Sequence, residues 1–204
     1  MKTLIITDVQ HDFLPGGALG IRGANDIVPL INGLIPKFDH VFATQDWHPA
    51  HHVSFAASHN KRVGEKIKVG EVEQILWPIH CVQNTWGSDF PQALHRERIE
   101  ATFHKGTDPK VDSYSTFFDN ARHRSTGLAD HLLKHKMINL YFVGLATDYC
   151  VLYSVLDALE LGFQTWVIRD ACRAINLKPG DDQKALDQMK ERGAHIITSK
   201  EFLR

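Results

Sequence analysis

Short runs of β-branched and aromatic residues alternate along the chain with stretches whose apolar positions recur every three or four residues. Thr3–Thr7, Val41–Thr44, Glu100–His104, Asn139–Val143, Thr165–Ile168 and His195–Thr198 are predicted strands. Between them Ile27, Leu30, Ile31, Leu34 and Phe38 share one helical face, as do Leu128, Leu132 and Leu133. Two further helical faces follow, one on Val151, Val155, Leu156 and Leu159, the other on Ala185, Leu186 and Met189. Strands alternating with amphipathic helices imply an α/β three-layer sandwich, with a mostly parallel six-stranded sheet and helices on both faces. The 204 residues suit one domain spanning 1–204, with no repeat and no low-complexity linker. The polar stretch from Pro49 to Gly87 lacks clear periodicity and reads as a long loop, a kind of segment that tends to be functional in compact domains.

Composition narrows the partners. Lys and Arg total 23 against 24 Asp and Glu, for a net charge of −1, and no basic stripe offers a nucleic-acid footprint. Hydrophobic residues reach 43% but come in short runs, none near the roughly 20 apolar residues that cross a bilayer. The start, Met1-Lys2-Thr3-Leu4-Ile5-Ile6-Thr7-Asp8, has no secretory signal pattern, so a cytoplasmic protein acting on a small molecule is expected. Its three cysteines, Cys81, Cys150 and Cys172, match neither a disulfide framework nor a zinc ribbon and leave at least one free thiol. A homo-oligomer is compatible with this composition, which by itself locates no exposed apolar face.

Chemistry-bearing residues gather at predicted strand ends. Asp8 follows the first strand, Asp46 the second, Lys105 the third, and Thr147 comes after the fourth, at the edge where open α/β sheets bind ligands. Asp46 and His48, two apart in an extended segment, can turn an oxygen and a nitrogen toward one cation; His52 or His80 could complete the set. Such a mixed set suits one divalent ion: zinc, manganese or ferrous iron. Cys150 falls where a helix should begin, with Thr147 or Asp148 as cap, and helix N–H groups there would favour a thiolate and hold an oxyanion. Asp8, at the end of an apolar strand, is placed to have a raised pKa and act as a base, and Lys105 to stabilise both anions. Taken singly, Cys150 could be a small buried residue, and Asp8 with Lys105 a plain ion pair.

Together these segments resemble a known family. Asp8-Val9-Gln10-His11-Asp12-Phe13 with Gly16-Gly17-Ala18-Leu19, Thr44-Gln45-Asp46-Trp47-His48-Pro49, Trp77-Pro78-Ile79-His80-Cys81-Val82, Lys105-Gly106 and Gly144-Leu145-Ala146-Thr147-Asp148-Tyr149-Cys150-Val151 resemble the nicotinamidase/pyrazinamidase branch of the isochorismatase-like hydrolases. The resemblance implies hydrolysis of nicotinamide to nicotinate and ammonia in NAD salvage, with pyrazinamide as a further substrate, through a thioester on Cys150. It implies Asp8 as base, Lys105 as its electrostatic partner, and a divalent metal on Asp46, His48 and His80, with His52 in support. It further implies an oxyanion hole from the amides of Ala146 and Cys150, a cis peptide between Ala146 and Thr147, and a ring pocket walled by Phe13, Trp77 and Tyr114. His11 departs from the family, many of whose members have Asn there, so any hydrogen bond at that position must be made differently. Two rivals are a hydrolase of the same superfamily acting on an N-carbamoyl compound or isochorismate, with no use for the cation set, and a non-catalytic metal-dependent protein that holds a pyridine ligand.

Overall fold

The computed structural model describes residues 1–204. Eight strands follow in order: β1 Thr3–Thr7, β2 His40–Asp46, β3 Lys66–Val69, β4 Val72–Ile75, β5 Ala101–Lys105, β6 Asn139–Leu145, β7 Gln164–Arg173 and β8 His195–Ile197. Five helices join them: α1 Ile27–Leu34, α2 Leu128–Lys134, α3 Leu152–Glu160, α4 Asp181–Glu191 and α5 Ser199–Phe202. Six strands form one sheet in the order β5-β2-β1-β6-β7-β8, and every neighbouring pair is parallel. All six are the strands expected from the sequence, β1 with the expected bounds and the others with shifted ends.

A parallel sheet must be covered on both faces, and the alternation along β1 and β6 does this. Leu4, Ile6, Tyr141, Val143 and Leu145 point into a core shared with Ile27, Val28, Ile31 and Leu34 of α1. Ile5, Leu140 and Phe142 point the other way, toward Leu128 and Leu132 of α2, Val155 of α3 and Met189 of α4. Phe38 lies beyond α1, because Pro36 cannot extend the helical hydrogen-bond ladder; its buried ring packs on Tyr141 and Phe202 instead.

The Pro49 to Gly87 stretch is not one loop. It carries the antiparallel hairpin β3–β4, apart from the main sheet, with one buried residue, Gln74. Because that ribbon is mostly solvated, it lacks the apolar density that marks the core strands. No helix is long and apolar enough to cross a membrane.

The strand order reverses at β1, whose neighbours are β2 and β6, and the crevice opens at their carboxyl ends. Thr7 pairs with Gly144 there. A Cβ on Gly144, at φ +113°, would sit 2.1 Å from the Thr7 carbonyl oxygen, so only glycine lets the two strands close beneath the site.

Candidate active site

Each reactive side chain leaves a strand end. Asp8 turns out of β1 at φ 49°, a left-handed conformation that aspartate tolerates, and is fully buried. Asp46 closes β2 opposite Lys105, which closes β5. Cys150 lies past β6, in a π-helical turn, Thr147–Val151, that runs into α3. The expected cap is absent: neither Thr147 nor Asp148 caps the turn, and the Asp148 carboxylate instead accepts the backbone N–H groups of Ile175 and Asn176. The cis peptide is Leu145–Ala146, one residue before the expected Ala146–Thr147, because β6 runs through Leu145 and the chain leaves the sheet at that bond.

Lys105 is the hub. Its buried ammonium lies 2.9 Å from Asp8 Oδ2, donates to Asp46 Oδ1 and to the Ser113 carbonyl oxygen, and stands 3.3 Å from Cys150 Sγ. Burial would lower Lys105, but Asp46 and Asp8 outweigh it and hold the amine charged far into the basic range.

The two carboxylates part company around it. Burial alone would raise Asp46, yet Lys105, His48 and His80 keep it far below the usual carboxylate range. For Asp8 burial prevails over Lys105, and its pKa is raised. One carboxylate thus stays an anion while the other is poised to take a proton, a divergence that marks a base. Asp8 Oδ1 accepts the Thr44 hydroxyl at 2.7 Å, whereas Oδ2 has no well-directed hydrogen-bond donor despite its ion-pair distance to Lys105. Carboxylate oxygens of Asp8 and Asp46 and the Cys150 sulfur lie within 4.8 Å of one another.

Cys150 does not behave as a helix-start thiolate. Burial drives its thiol well above the ordinary range, with Lys105 only partly opposing. The resting group is therefore a thiol.

A second group adjoins the first. Asp46 Oδ2 lies 3.7 Å from His48 Nε2 and 3.9 Å from His80 Nε2. His48 Nδ1 donates to the Gly106 carbonyl oxygen and His80 Nδ1 to that of Pro78, which leaves both Nε2 lone pairs facing the carboxylate. Burial, followed by repulsion from His48, brings His80 down to about 4, so its ring is neutral at neutral pH. For His48 burial opposes protonation, but Asp46 overcomes it and the pKa is raised. An anionic oxygen and two carbonyl-oriented imidazoles, all buried, fit one divalent cation. Gly106 makes room, since a Cβ there would lie 2.4 Å from the His48 ring. His52 is stacked 4.1 Å behind His48, with Nδ1 on the Ser54 hydroxyl, Nε2 unpartnered, and Asp112 beside it.

Both groups open on a narrow pocket walled by Phe13, Trp77, Tyr114, Ala146 and Cys150, all named from the sequence, with Asp46, His48 and His80 at its edge. Trp77 Nε1 donates to the Tyr114 hydroxyl. Leu19, Asp112, Tyr149 and Ile175 also line it and were missed, as was Gln10, which bridges the backbones of Asp46 and Ser88. Gln10 sits beside His11 and Asp12, so its polarity gave no distinct signal. His11 takes no part: its ring stacks on exposed Trp86.

The isochorismatase domain matches residues 2–201. The chain belongs to that family. A nicotinamidase of Escherichia coli (strain K12) is 44% identical over 97% of this chain and 94% of its own length. The structure of an Acinetobacter baumanii nicotinamidase/pyrazinamidase has TM-score 0.95 and 40% identity over 98% of this chain and 97% of that one. A Pyrococcus horikoshii pyrazinamidase in complex with zinc, at 37% identity, covers 97% of this chain and 98% of its own, with TM-score 0.79. These full-length likenesses put this isochorismatase-family chain on the nicotinamidase branch.

Proposed function

We propose that the protein hydrolyses nicotinamide to nicotinate and ammonia, and pyrazinamide likewise, within one domain spanning 1–204. The observation that carries this reading is the Lys105 ammonium, set 2.9 Å from Asp8 and 3.3 Å from Cys150 at a pocket walled by aromatic rings. Nicotinamidase relatives over nearly the whole chain support it.

Asp8 takes the proton of Cys150, and the sulfur bonds to the carboxamide carbon. The carbonyl π electrons move to oxygen, where the backbone amides of Ala146 and Cys150 receive the charge. Lys105 stabilises the sulfur while it is anionic. Collapse breaks the C–N bond, and Asp8 returns its proton to nitrogen, so ammonia leaves and a thioester remains. Asp8 then draws a proton from water; the hydroxyl bonds to the acyl carbon, the C–S bond breaks, and the sulfur recovers the proton as nicotinate departs. Phe13, Trp77 and Tyr114 hold the ring flat. Asp46, His48 and His80 would hold a divalent cation, zinc or else manganese or iron, which when bound supplies an electrophilic position for the ring nitrogen.

Ammonia release from nicotinamide tests the reading. Cys150→Ala should abolish turnover and keep its metal content. Release by that variant at the native rate sinks the nucleophile assignment, and tight nicotinamide binding without ammonia from the native protein favours the non-catalytic alternative. Native protein that carries no metal and releases no ammonia from nicotinamide points to the N-carbamoyl class.

A further inference from the structure

A second, larger cavity lies at the carboxyl end of β7. Its volume is about 500 Å³, and Arg22, Arg169, Arg173, Asn176, Ile175 and Leu186 are among the residues that line it. Arg22 comes from the loop before α1, while Arg169 and Arg173 come from β7 itself, so two segments distant in the chain bring three arginines to one space. None of the three has a carboxylate within 4 Å, although Arg96, Arg122 and Arg124 elsewhere do. Arg173 is held in place by its own strand end, donating from one terminal nitrogen to the carbonyl oxygens of Asp170 and Cys172. Asp182 is the one carboxylate in the lining, leaving a net excess of two positive charges by 3 − 1 over those residues.

We propose that this cavity binds an organic phosphate, with the arginines on its phosphate oxygens and the Ile175–Leu186 side against its apolar half. Guanidinium groups match phosphate through paired N–H donors, and a partly enclosed space strengthens them by excluding water. The space is far larger than the catalytic pocket, too large for an inorganic phosphate alone and suited to a nucleoside phosphate. The two spaces are distinct, with Ile175 as partition between them. The proposal therefore stands independently of the hydrolytic reading.

Calorimetric titration with ADP tests it, with inorganic pyrophosphate and adenosine as comparison arms and nicotinate saturating the catalytic pocket. ADP should bind at one site per chain, more tightly than either comparison, and more weakly as salt rises. Arg22→Ala and Arg169→Ala both alter exposed side chains outside the catalytic pocket, so each variant should keep its melting temperature and native turnover. Each should raise Kd for ADP roughly tenfold, the loss of one charge-assisted contact. Equal affinity for pyrophosphate and ADP would overturn the organic half of the proposal. Absence of saturable ADP binding, or binding indifferent to both substitutions, would overturn the site.

Discussion

Replacing Lys105 with Met keeps most of the unbranched side chain and deletes its charge. Two buried carboxylates, Asp8 and Asp46, then face each other and a buried sulfur with no cation between them. Breaking a buried ion pair by removing one partner costs about 3–5 kcal/mol, because the remaining charge is left desolvated. Set against a total stability of roughly 5–15 kcal/mol, that loss is large. At roughly 2–4 °C per kcal/mol for a domain of this size, the melting midpoint should drop by about 6–20 °C. Turnover should suffer separately. The ammonium is the only cation in contact with the sulfur, and a hydrogen bond to a charged group contributes about 1.5–3 kcal/mol, or roughly ten- to a hundredfold in rate. The assays are calorimetric melting and ammonia release measured well below the variant's own midpoint. A Lys105→Met protein with native melting temperature and native kcat would refute the reasoning, since it would mean that the ammonium neither neutralises the carboxylates nor supports the thiolate.

The acid limb of kcat/KM should reflect Asp8, which must be ionised to act. Burial raises its pKa above 3.8, so activity should fail on acidification at a higher pH than an ordinary carboxylate allows, and Thr44→Val, by removing a donor to its ionised form, should move the limb higher still. A limb at or below 3.8 contradicts this. Gly106→Ala should displace His48, lower bound metal measured by elemental analysis, and cost about 1–3 kcal/mol of stability as an overpacked site; undiminished metal stoichiometry counts against the assignment of His48. Chelating the metal should raise KM for nicotinamide more than it lowers kcat, and an unchanged KM after verified metal loss removes its role in positioning the ring.

Much of the scaffold was legible because burial on both faces leaves a plain mark. Leu4-Ile5-Ile6 could only be an inner strand, and β1 has the bounds its pattern predicts. In β7 the charged pair Arg169-Asp170 ended the visible pattern at Ile168, yet the strand continues to Arg173 because its pairing with β6 resumes past an irregularity between Phe142 and Gly144. The β3–β4 hairpin showed only the alternation Lys66-Ile67-Lys68-Val69, too short and too polar to stand out from a loop. Asp8 and Lys105 were nameable because a charged side chain at the end of a buried strand is costly without a partner, and Cys150 because it falls in the turn that follows β6.

By itself the sequence determined the layers, the strand ends that carry chemistry, and the candidates for the cation set. Only the tertiary structure decided among them, since contacts between distant segments depend on register and burial, which no local pattern encodes. The β2–β5 register sets Asp46 beside Lys105, with one oxygen toward the ammonium and the other toward two imidazoles. The fold brings His80 to that carboxylate and leaves His52 stacked behind His48, a choice both histidines' positions in the chain left open. It also reversed the expected state of Cys150, because the helix-end N–H groups that favour a thiolate come with enough burial to keep the sulfur protonated.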